Sequence, residues 1–124
     1  AERAYSMAKI LPKDVQVIEL HDAFSIMGVL SLESLGFVEK GHGVKFVADG
    51  QISKDGELPT NLSGGLKARG HPIGATGVYQ VAEIALQLRG EFPGLQAEND
   101  PQIGLAHNVS GNGALTTVTI LRRP

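Results

Sequence analysis

Hydrophobic positions change their spacing several times along this chain, and each change predicts a new element. Residues 2–11 carry apolar side chains at i, i+3, i+4 and i+7, and Pro12 ends the run, so we expect an amphipathic helix. Residues 15–20 form a short, mostly apolar run rich in β-branched side chains, which predicts a strand covered on both faces.

A second helix is expected directly after this strand. Residues 23–35 are largely apolar over a helical length, with Asp22 placed to cap the start and Gly36 placed to end the helix in a left-handed turn. A helix that follows a strand after only two residues is typical of an α/β fold. Residues 37–60 then bring turn dipeptides and the short run Val44–Val47, which suggest hairpins and loops that leave the sheet.

Residues 61–77 are dense in glycine and too irregular for regular structure, so they are predicted as a loop. A long buried helix follows and ends near Arg89, with Gly90 at its cap and Pro93 preventing continuation. Its predicted core-facing side chains lie at helical spacing: Val78, Val81, Ala82, Ala85 and Leu86.

The chain ends on two strand-like runs, Ile103–Ser110 and Ala114–Leu121, and Asn112-Gly113 between them is a strong signal for a tight hairpin turn. The order of elements predicts one α/β domain over residues 1–124, with a mixed sheet, packed helices and a terminal antiparallel hairpin. Three or four strands are few for such a sheet. We therefore expect an opening strand to precede this segment in a longer parent chain.

Composition narrows the possible functions. Hydrophobic residues make up 42% of the 124 residues, charged residues 19%, and the net charge is −2, as in ordinary globular proteins. Basic residues are scattered along the chain, apart from the pair Arg122-Arg123. This scatter argues against nucleic acid as a partner. No apolar run reaches the roughly 20 residues that a membrane span needs, and we expect a cytoplasmic protein. The absence of cysteine excludes thiol nucleophiles and thiolate metal sites within this chain.

Three segments are candidates for chemistry, because ligands of open α/β sheets bind beyond the carboxyl ends of the strands. They are His21-Asp22, the loop 61–77 and the hairpin end 107–113. A single histidine at a strand end is most often structural, but three of the four histidines fall in these segments. The fourth, His42, lies between two glycines and is expected to be solvated.

Zinc and nucleotide binding are weaker interpretations of the same residues. His21, Asp22, His71 and His107 have suitable types for zinc, but they lack the short paired spacing of metal sites. The glycine-rich loop lacks the Lys-Ser/Thr pair of a phosphate loop and the preceding strand of a dinucleotide fingerprint. The stronger interpretation is that glycines bring the backbone close to a reacting carbon while Pro72 holds His71 rigidly before a helix.

These motifs resemble the thiolase superfamily. Asn61 to Gly77 (NLSGGLKARGHPIGATG) resembles its loop, Asn-x-x-Gly-Gly followed by Gly-His-Pro-x-Gly-x-x-Gly. Ile18 to Phe24 (IELHDAF) resembles its Asn-Glu-Ala-Phe block, in the His-Asp-Cys-Phe form of the sterol-carrier-protein type and of archaeal and bacterial relatives. His107 to Ala114 (HNVSGNGA) resembles the terminal hairpin of that type.

The resemblance covers nearly the whole chain and implies the C-terminal domain of the two-domain thiolase fold. It implies that His71, after Gly70, activates a nucleophilic cysteine, and that His21 occupies the position of the oxyanion-binding Asn or His. The amide of Ser110 would serve a second oxyanion hole. Asn108 or a neighbour stands where ordinary thiolases place an acid/base cysteine.

The resemblance further implies a coenzyme A thioester as substrate, no covalently bound cofactor and a homodimer in the parent protein. The nucleophilic cysteine would belong to an N-terminal domain outside this sequence, so the chain alone should be inactive. Ala23 replaces the cysteine of the sterol-carrier type, so neither acid/base thiol is present. Three functions stay open: acyl transfer with 3-oxoacyl-CoA, aldol cleavage of a β-hydroxyacyl-CoA, and a non-catalytic paralogue that assists a partner.

Overall fold

The computed structural model describes residues 1–111 and 113–124 and has a mixed three-stranded sheet with helices on both faces. The elements are α1 Glu2–Ala8, a 3₁₀ turn Pro12–Asp14, β1 Val17–Glu19, α2 Ser25–Ser34, α3 Gly43–Ala48, α4 Gly65–Arg69, α5 Thr76–Arg89, β2 Ile103–Ser110 and β3 Leu115–Arg122. The order β1-β2-β3, with β1 parallel to β2 and β2 antiparallel to β3, confirms the predicted mixed sheet and terminal hairpin.

The central strand separates two cores, because side chains alternate between the faces of a strand. Leu105 joins Ile18 and Leu20 in the core on the α2 side, whereas Ala106 joins Val17 and Ile84 on the α5 side. Gly104 lets α5 lie close to the sheet, since a Cβ atom there would stand 2.5 Å from Cγ2 of Ile84. The first turns of α5 lie at the carboxyl end of β2, where Nε2 of Gln80 donates to the His107 carbonyl at 2.9 Å.

The helix boundaries correct two expectations. Helix α1 ends at Ala8 rather than near Leu11, because Lys9 adopts a left-handed conformation with φ of 55°. Helix α2 begins at Ser25, and its N-cap is Phe24 without a side-chain hydrogen bond. The prediction that Asp22 caps this helix is therefore wrong. The left-handed turns expected at the helix ends are confirmed by φ of 84° at Gly36 and 69° at Gly90.

The segment 37–60 was wrongly predicted to hold hairpins. The run Val44–Val47 lies within helix α3, because a short apolar run of this length cannot be told from a helix by its spacing. A carboxylate oxygen of Glu33 accepts a hydrogen bond from the Gly43 amide at 2.9 Å and so anchors the first turn of α3 to α2. The 61–77 loop likewise contains one short helix, α4, that the sequence did not predict.

The buried face of α5 is also different from the prediction. Val78 is 70% exposed and Ala82 is exposed, whereas the buried positions of the helix include four polar residues: Thr76, Gln80, Glu83 and Gln87. Each of these polar side chains contacts a loop, a strand or helix α4, so the polar face of α5 fixes the surrounding segments.

The predicted Asn112-Gly113 turn falls partly on Asn112, which lies outside the described residues. The paired residues nearest to it are Ser110 and Leu115. None of the helices in the described part of the chain combines the length and apolar character that crossing a bilayer requires.

Candidate active site

The site is built around the chain reversal that follows β1. The side-chain amide of Asn61 pairs with the backbone of Leu20 as a neighbouring strand would. Its Oδ1 accepts a hydrogen bond from the Leu20 amide at 2.5 Å, and its Nδ2 donates to the Leu20 carbonyl at 3.2 Å. The Asn61 amide also donates to the Ile18 carbonyl at 2.9 Å. Because these bonds fix the backbone on both sides of Glu19 and Leu20, they place the next residue, His21, at a defined point beside the 61–77 loop.

The two histidines that the sequence singled out lie side by side. The ring centroids of His21 and His71 are 4.9 Å apart, and the ring planes meet at 86°, an edge-to-face contact. His21 is 4% exposed, whereas His71 is exposed. The fold therefore presents one buried and one accessible imidazole at the carboxyl end of β1.

The proton arrangement on His71 follows from its neighbour Thr76. The Nδ1 atom of His71 lies 2.7 Å from Oγ1 of Thr76, and that hydroxyl donates its one proton to the Pro72 carbonyl at 3.1 Å. Oγ1 must then accept from Nδ1–H of His71. A neutral His71 in this tautomer carries its lone pair on Nε2, which is the state required of a general base.

His21 is suited to donate a hydrogen bond while its ring stays neutral. Burial, followed by the charge of His71, lowers the pKa of His21, and the nearby Asp22 opposes this shift. Its Nδ1 atom is buried without a hydrogen-bond partner among the described residues, so Nε2 is the nitrogen through which the ring can meet a ligand. A neutral imidazole N–H can stabilise an oxyanion.

Asp22 has a structural role in the same corner. Its Oδ1 accepts a hydrogen bond from the Leu66 amide at 2.7 Å in the first turn of α4. A side chain at Gly65 would collide with this carboxylate, because its Cβ would lie 2.4 Å from Oδ2 of Asp22. No cluster of three metal-ligating side chains occurs in the described ranges, so the zinc interpretation has no assembled ligand set there.

Asn108 approaches the site from β2. Its Nδ2 donates to Oε1 of Gln80 at 2.8 Å, and its side chain lies against Gly77 in the first turn of α5, where a Cβ would be 3.4 Å away. Gly70, with φ of 96°, turns the chain from α4 into His71. Ser110 is exposed at the end of β2, and no described hydrogen bond or ring contact within residues 1–111 and 113–124 joins it to either histidine.

His107 belongs to the other side of the sheet. It alternates with Ala106 and Asn108, is 4% exposed, and lines a groove of about 770 Å³ between α2 and β3 together with Met27, Leu30 and Val118. Burial, followed by the charge of His21, lowers the pKa of His107 to about 4. Neither His21 nor His71 lines this groove. His42 is exposed, as predicted.

Several polar residues next to the site were missed by the sequence reasoning. Glu19, Arg69 and Glu83 form a buried charged cluster behind the histidines, and Thr76 and Gln80 hold His71 and Asn108. The available signal was the spacing of Thr76, Gln80, Glu83 and Gln87, which recur on one side of a helix. Polar residues at such spacing are usually read as a solvent-facing stripe.

One family model and several known proteins match nearly the whole of this chain. A family model described as thiolase C-terminal domain-like matches residues 1–123. An acetyl-CoA acetyltransferase of Methanothermobacter thermautotrophicus is 51% identical over 99% of this chain and 32% of its own length. Human sterol carrier protein 2 is 40% identical over 98% of this chain and 22% of its own length.

A solved structure titled Ltp2-ChsH2(DUF35) aldolase superimposes with a TM-score of 0.86 at 28% identity, covering 98% of this chain and 30% of that one. The chain thus spans about a third or less of the proteins it matches.

Proposed function

The chain belongs to the thiolase C-terminal domain-like family, and on that premise we propose that it is the C-terminal catalytic half of a thiolase-like acyl-CoA C-acyltransferase. The reaction is thiolytic cleavage of a 3-oxoacyl-CoA or the reverse Claisen condensation. The observation that carries the proposal is the hydrogen bond between Nδ1 of His71 and Thr76, which leaves Nε2 as a base beside the donor His21.

Each proposed step assigns one task to these residues. Nε2 of His71 takes the proton of a cysteine thiol, and the resulting thiolate attacks the C3 carbonyl of the 3-oxoacyl-CoA. Nε2–H of His21 donates to the thioester oxygen as the bond between C2 and C3 breaks and negative charge collects on the acetyl-CoA fragment. His71 gives the proton it took from the cysteine to C2 of that fragment, which leaves as acetyl-CoA. The coenzyme A thiol then passes its proton to His71 and attacks the acyl carbonyl, and the cysteine leaves as a thiolate that takes the proton back from His71.

The cysteine must come from outside this chain, which contains none. We propose that an N-terminal thiolase domain supplies it and that residues 1–124 form one C-terminal domain of that longer enzyme. Exposed apolar side chains surround the histidine loop: Ile73 is 88% exposed, Val78 70% and Tyr79 46%. A surface of this kind beside an accessible His71 supports a covering domain.

The substrate, assembly and location follow as parts of the same proposal. Acyl-CoA is the substrate, and no cofactor is held covalently. The full-length enzyme is proposed to be a cytoplasmic homodimer, which size-exclusion chromatography and cell fractionation of that protein test. The resemblance implies that Asn108 or a neighbour stands where ordinary thiolases have an acid/base cysteine. The side-chain amide of Asn108 donates to Gln80, so Asn108 can orient a substrate group but cannot remove a proton.

Replacing His71 by Ala in the full-length enzyme tests the assignment. Thiolysis of acetoacetyl-CoA should fall by about 100-fold or more, because both thiol activation and its later reversal lose their base. His42→Ala is the matched control, since His42 is an exposed histidine on another element. An unchanged rate in the His71→Ala variant would remove His71 from the mechanism.

A second candidate function is aldol cleavage of a β-hydroxyacyl-CoA without a covalent intermediate. The absence of cysteine and the likeness to a structure titled as an aldolase favour it. Incubating the full-length protein with acyl-CoA and measuring its intact mass separates the two, because only the thiolase acquires an acyl group. Turnover of neither substrate would point to the non-catalytic paralogue.

A further inference from the structure

Four polar side chains fill the space between β1, α4 and α5, directly behind the two histidines. Glu19 is 1% exposed and Glu83 is 7% exposed, and the Arg69 side chain is 17% exposed. Ser63 completes the group. The carboxyl groups of Glu19 and Glu83 are therefore largely removed from water.

The contacts within this cluster tie three elements together. Nε of Arg69 is 2.7 Å from Oε1 of Glu83, an ion pair that lacks the alignment of a hydrogen bond. Oγ of Ser63 donates to Oε2 of Glu19 at 3.0 Å, and the Ser63 amide lies 3.3 Å from Oε1. The guanidinium of Arg69 also stands 5.2 Å from the ring centroid of Tyr79 on α5.

Arg69 and Glu83 are both close in sequence to residues of the candidate site. Arg69 precedes His71 by two residues, across Gly70. Glu83 follows Thr76 by seven residues, which places the two on one face of α5 two turns apart. Helix α5 therefore contacts the His71 segment at two points. Glu83 pairs with Arg69 before the histidine, and Thr76 bonds Nδ1 of His71 itself.

Stability alone is a poor explanation for this cluster. Burying an ion pair costs desolvation that its attraction often fails to recover, and apolar replacement of such a pair is frequently neutral or stabilising. Here Nη2 of Arg69 and Oε2 of Glu83 are buried without hydrogen-bond partners among the described residues, which adds to the cost. What the pair does provide is a fixed direction for the backbone that leads into His71.

We propose that Arg69 and Glu83, backed by Glu19 and Ser63, are positioning residues that hold Nε2 of His71 in line with the reacting thiol. The inference rests on the proposed function, since it concerns the direction of a catalytic base. It assigns to Arg69 and Glu83 no contact with substrate.

The test compares removal of the pair with removal of an exposed pair in the full-length enzyme. The Arg69→Met/Glu83→Leu double variant replaces both partners of the ion pair by apolar side chains, so neither partner is left as an unpaired charge. We expect a folded protein, a KM within about twofold of wild type and a kcat lowered by about 10- to 100-fold, because small misplacement of a catalytic group is costly. Arg89→Met/Glu91→Gln, at the exposed end of α5, is the matched control and should keep kcat.

A second variant covers the case in which the double variant does not fold. Glu83→Gln keeps the shape of the side chain and removes only its charge, and it should lower kcat with KM nearly constant. The imidazole nitrogen chemical shifts of His71 should move away from the single Nδ1–H tautomer in the same variant. Wild-type kcat with unchanged His71 shifts, in Glu83→Gln or in a folded double variant, would overturn the inference.

The outcome is separable from that of the proposed function. If wild-type enzyme performs thiolysis and His71→Ala abolishes it, the proposed function stands whatever the pair variants do. If wild-type enzyme shows no thiolysis, the proposed function fails, and the His71 nitrogen shifts still report whether the pair orients the ring.

Discussion

The ring of His71 meets the ring of His21 edge to face, with 4.9 Å between their centroids. One ring is buried and the other is accessible, and burial lowers the pKa of His21. The proposed function uses this difference, with His21 as the hydrogen-bond donor and His71 as the base. The chain has no cysteine, so the pair has no thiol nucleophile within it.

Thr76 should be required for the correct tautomer of His71. Thr76→Val keeps the size of the buried side chain but removes the acceptor for Nδ1–H, so kcat of the full-length enzyme should fall by about tenfold or more. Thr60→Val is a matched control, because Thr60 is also buried and its hydroxyl also bonds a backbone carbonyl. Equal loss of activity in both variants would show a general packing effect instead.

His21 should be replaceable by a residue that can still donate a hydrogen bond. His21→Ala removes the oxyanion donor and should lower kcat by about 100- to 1,000-fold, whereas His21→Asn should retain clearly more activity. Steady-state thiolysis rates check this order. Equal rates for the Ala and Asn variants would contradict the role of an oxyanion donor.

Glu19 should make the protein less stable as the pH rises. Burial, followed by the charge of Glu83, raises the pKa of Glu19 to about 8, while its bonds from Ser63 and the charge of Arg69 act in the opposite direction. The folded state then binds one more proton than the unfolded state between about pH 4.5 and 8, so stability is full below that window and is lost across it.

The Glu19→Gln variant isolates this effect, since it mimics the protonated carboxyl. Thermal melting at several pH values should show wild-type stability falling relative to Glu19→Gln between pH 5 and 8. Parallel curves would mean that Glu19 titrates normally.

His107 should give the opposite dependence. Burial lowers the pKa of His107 to about 4 from its ordinary value of 6.5, so below pH 6.5 the unfolded state binds more protons than the folded state. Its stabilising contribution is present above pH 6.5 and is lost as the pH falls towards 4, by roughly 3 kcal/mol in total. His107→Gln should weaken this acid dependence in denaturant unfolding, and no change would contradict the burial argument.

The sequence predicted the mixed sheet and the histidine candidates, but it did not predict the buried polar residues that hold those histidines in place. Glycines at the helix ends and the period of β2 and β3 are local signals, and both were read correctly. The burial of Thr76 and Glu83 depends on partners that are distant in sequence, such as Arg69 and the 61–77 loop. The prediction for Val44–Val47 was wrong because so short a run fits both a helix and a strand.

The rate at which an acyl group is transferred to the full-length enzyme shows whether His71 activates a cysteine nucleophile. Full-length wild-type, His71→Ala and His42→Ala proteins would be mixed with acyl-CoA, quenched at short times and weighed by intact mass spectrometry. We expect a covalent acyl adduct in wild type and His42→Ala, and about 100-fold slower formation of that adduct in His71→Ala. No adduct in wild type, or equally fast formation in His71→Ala, would contradict it.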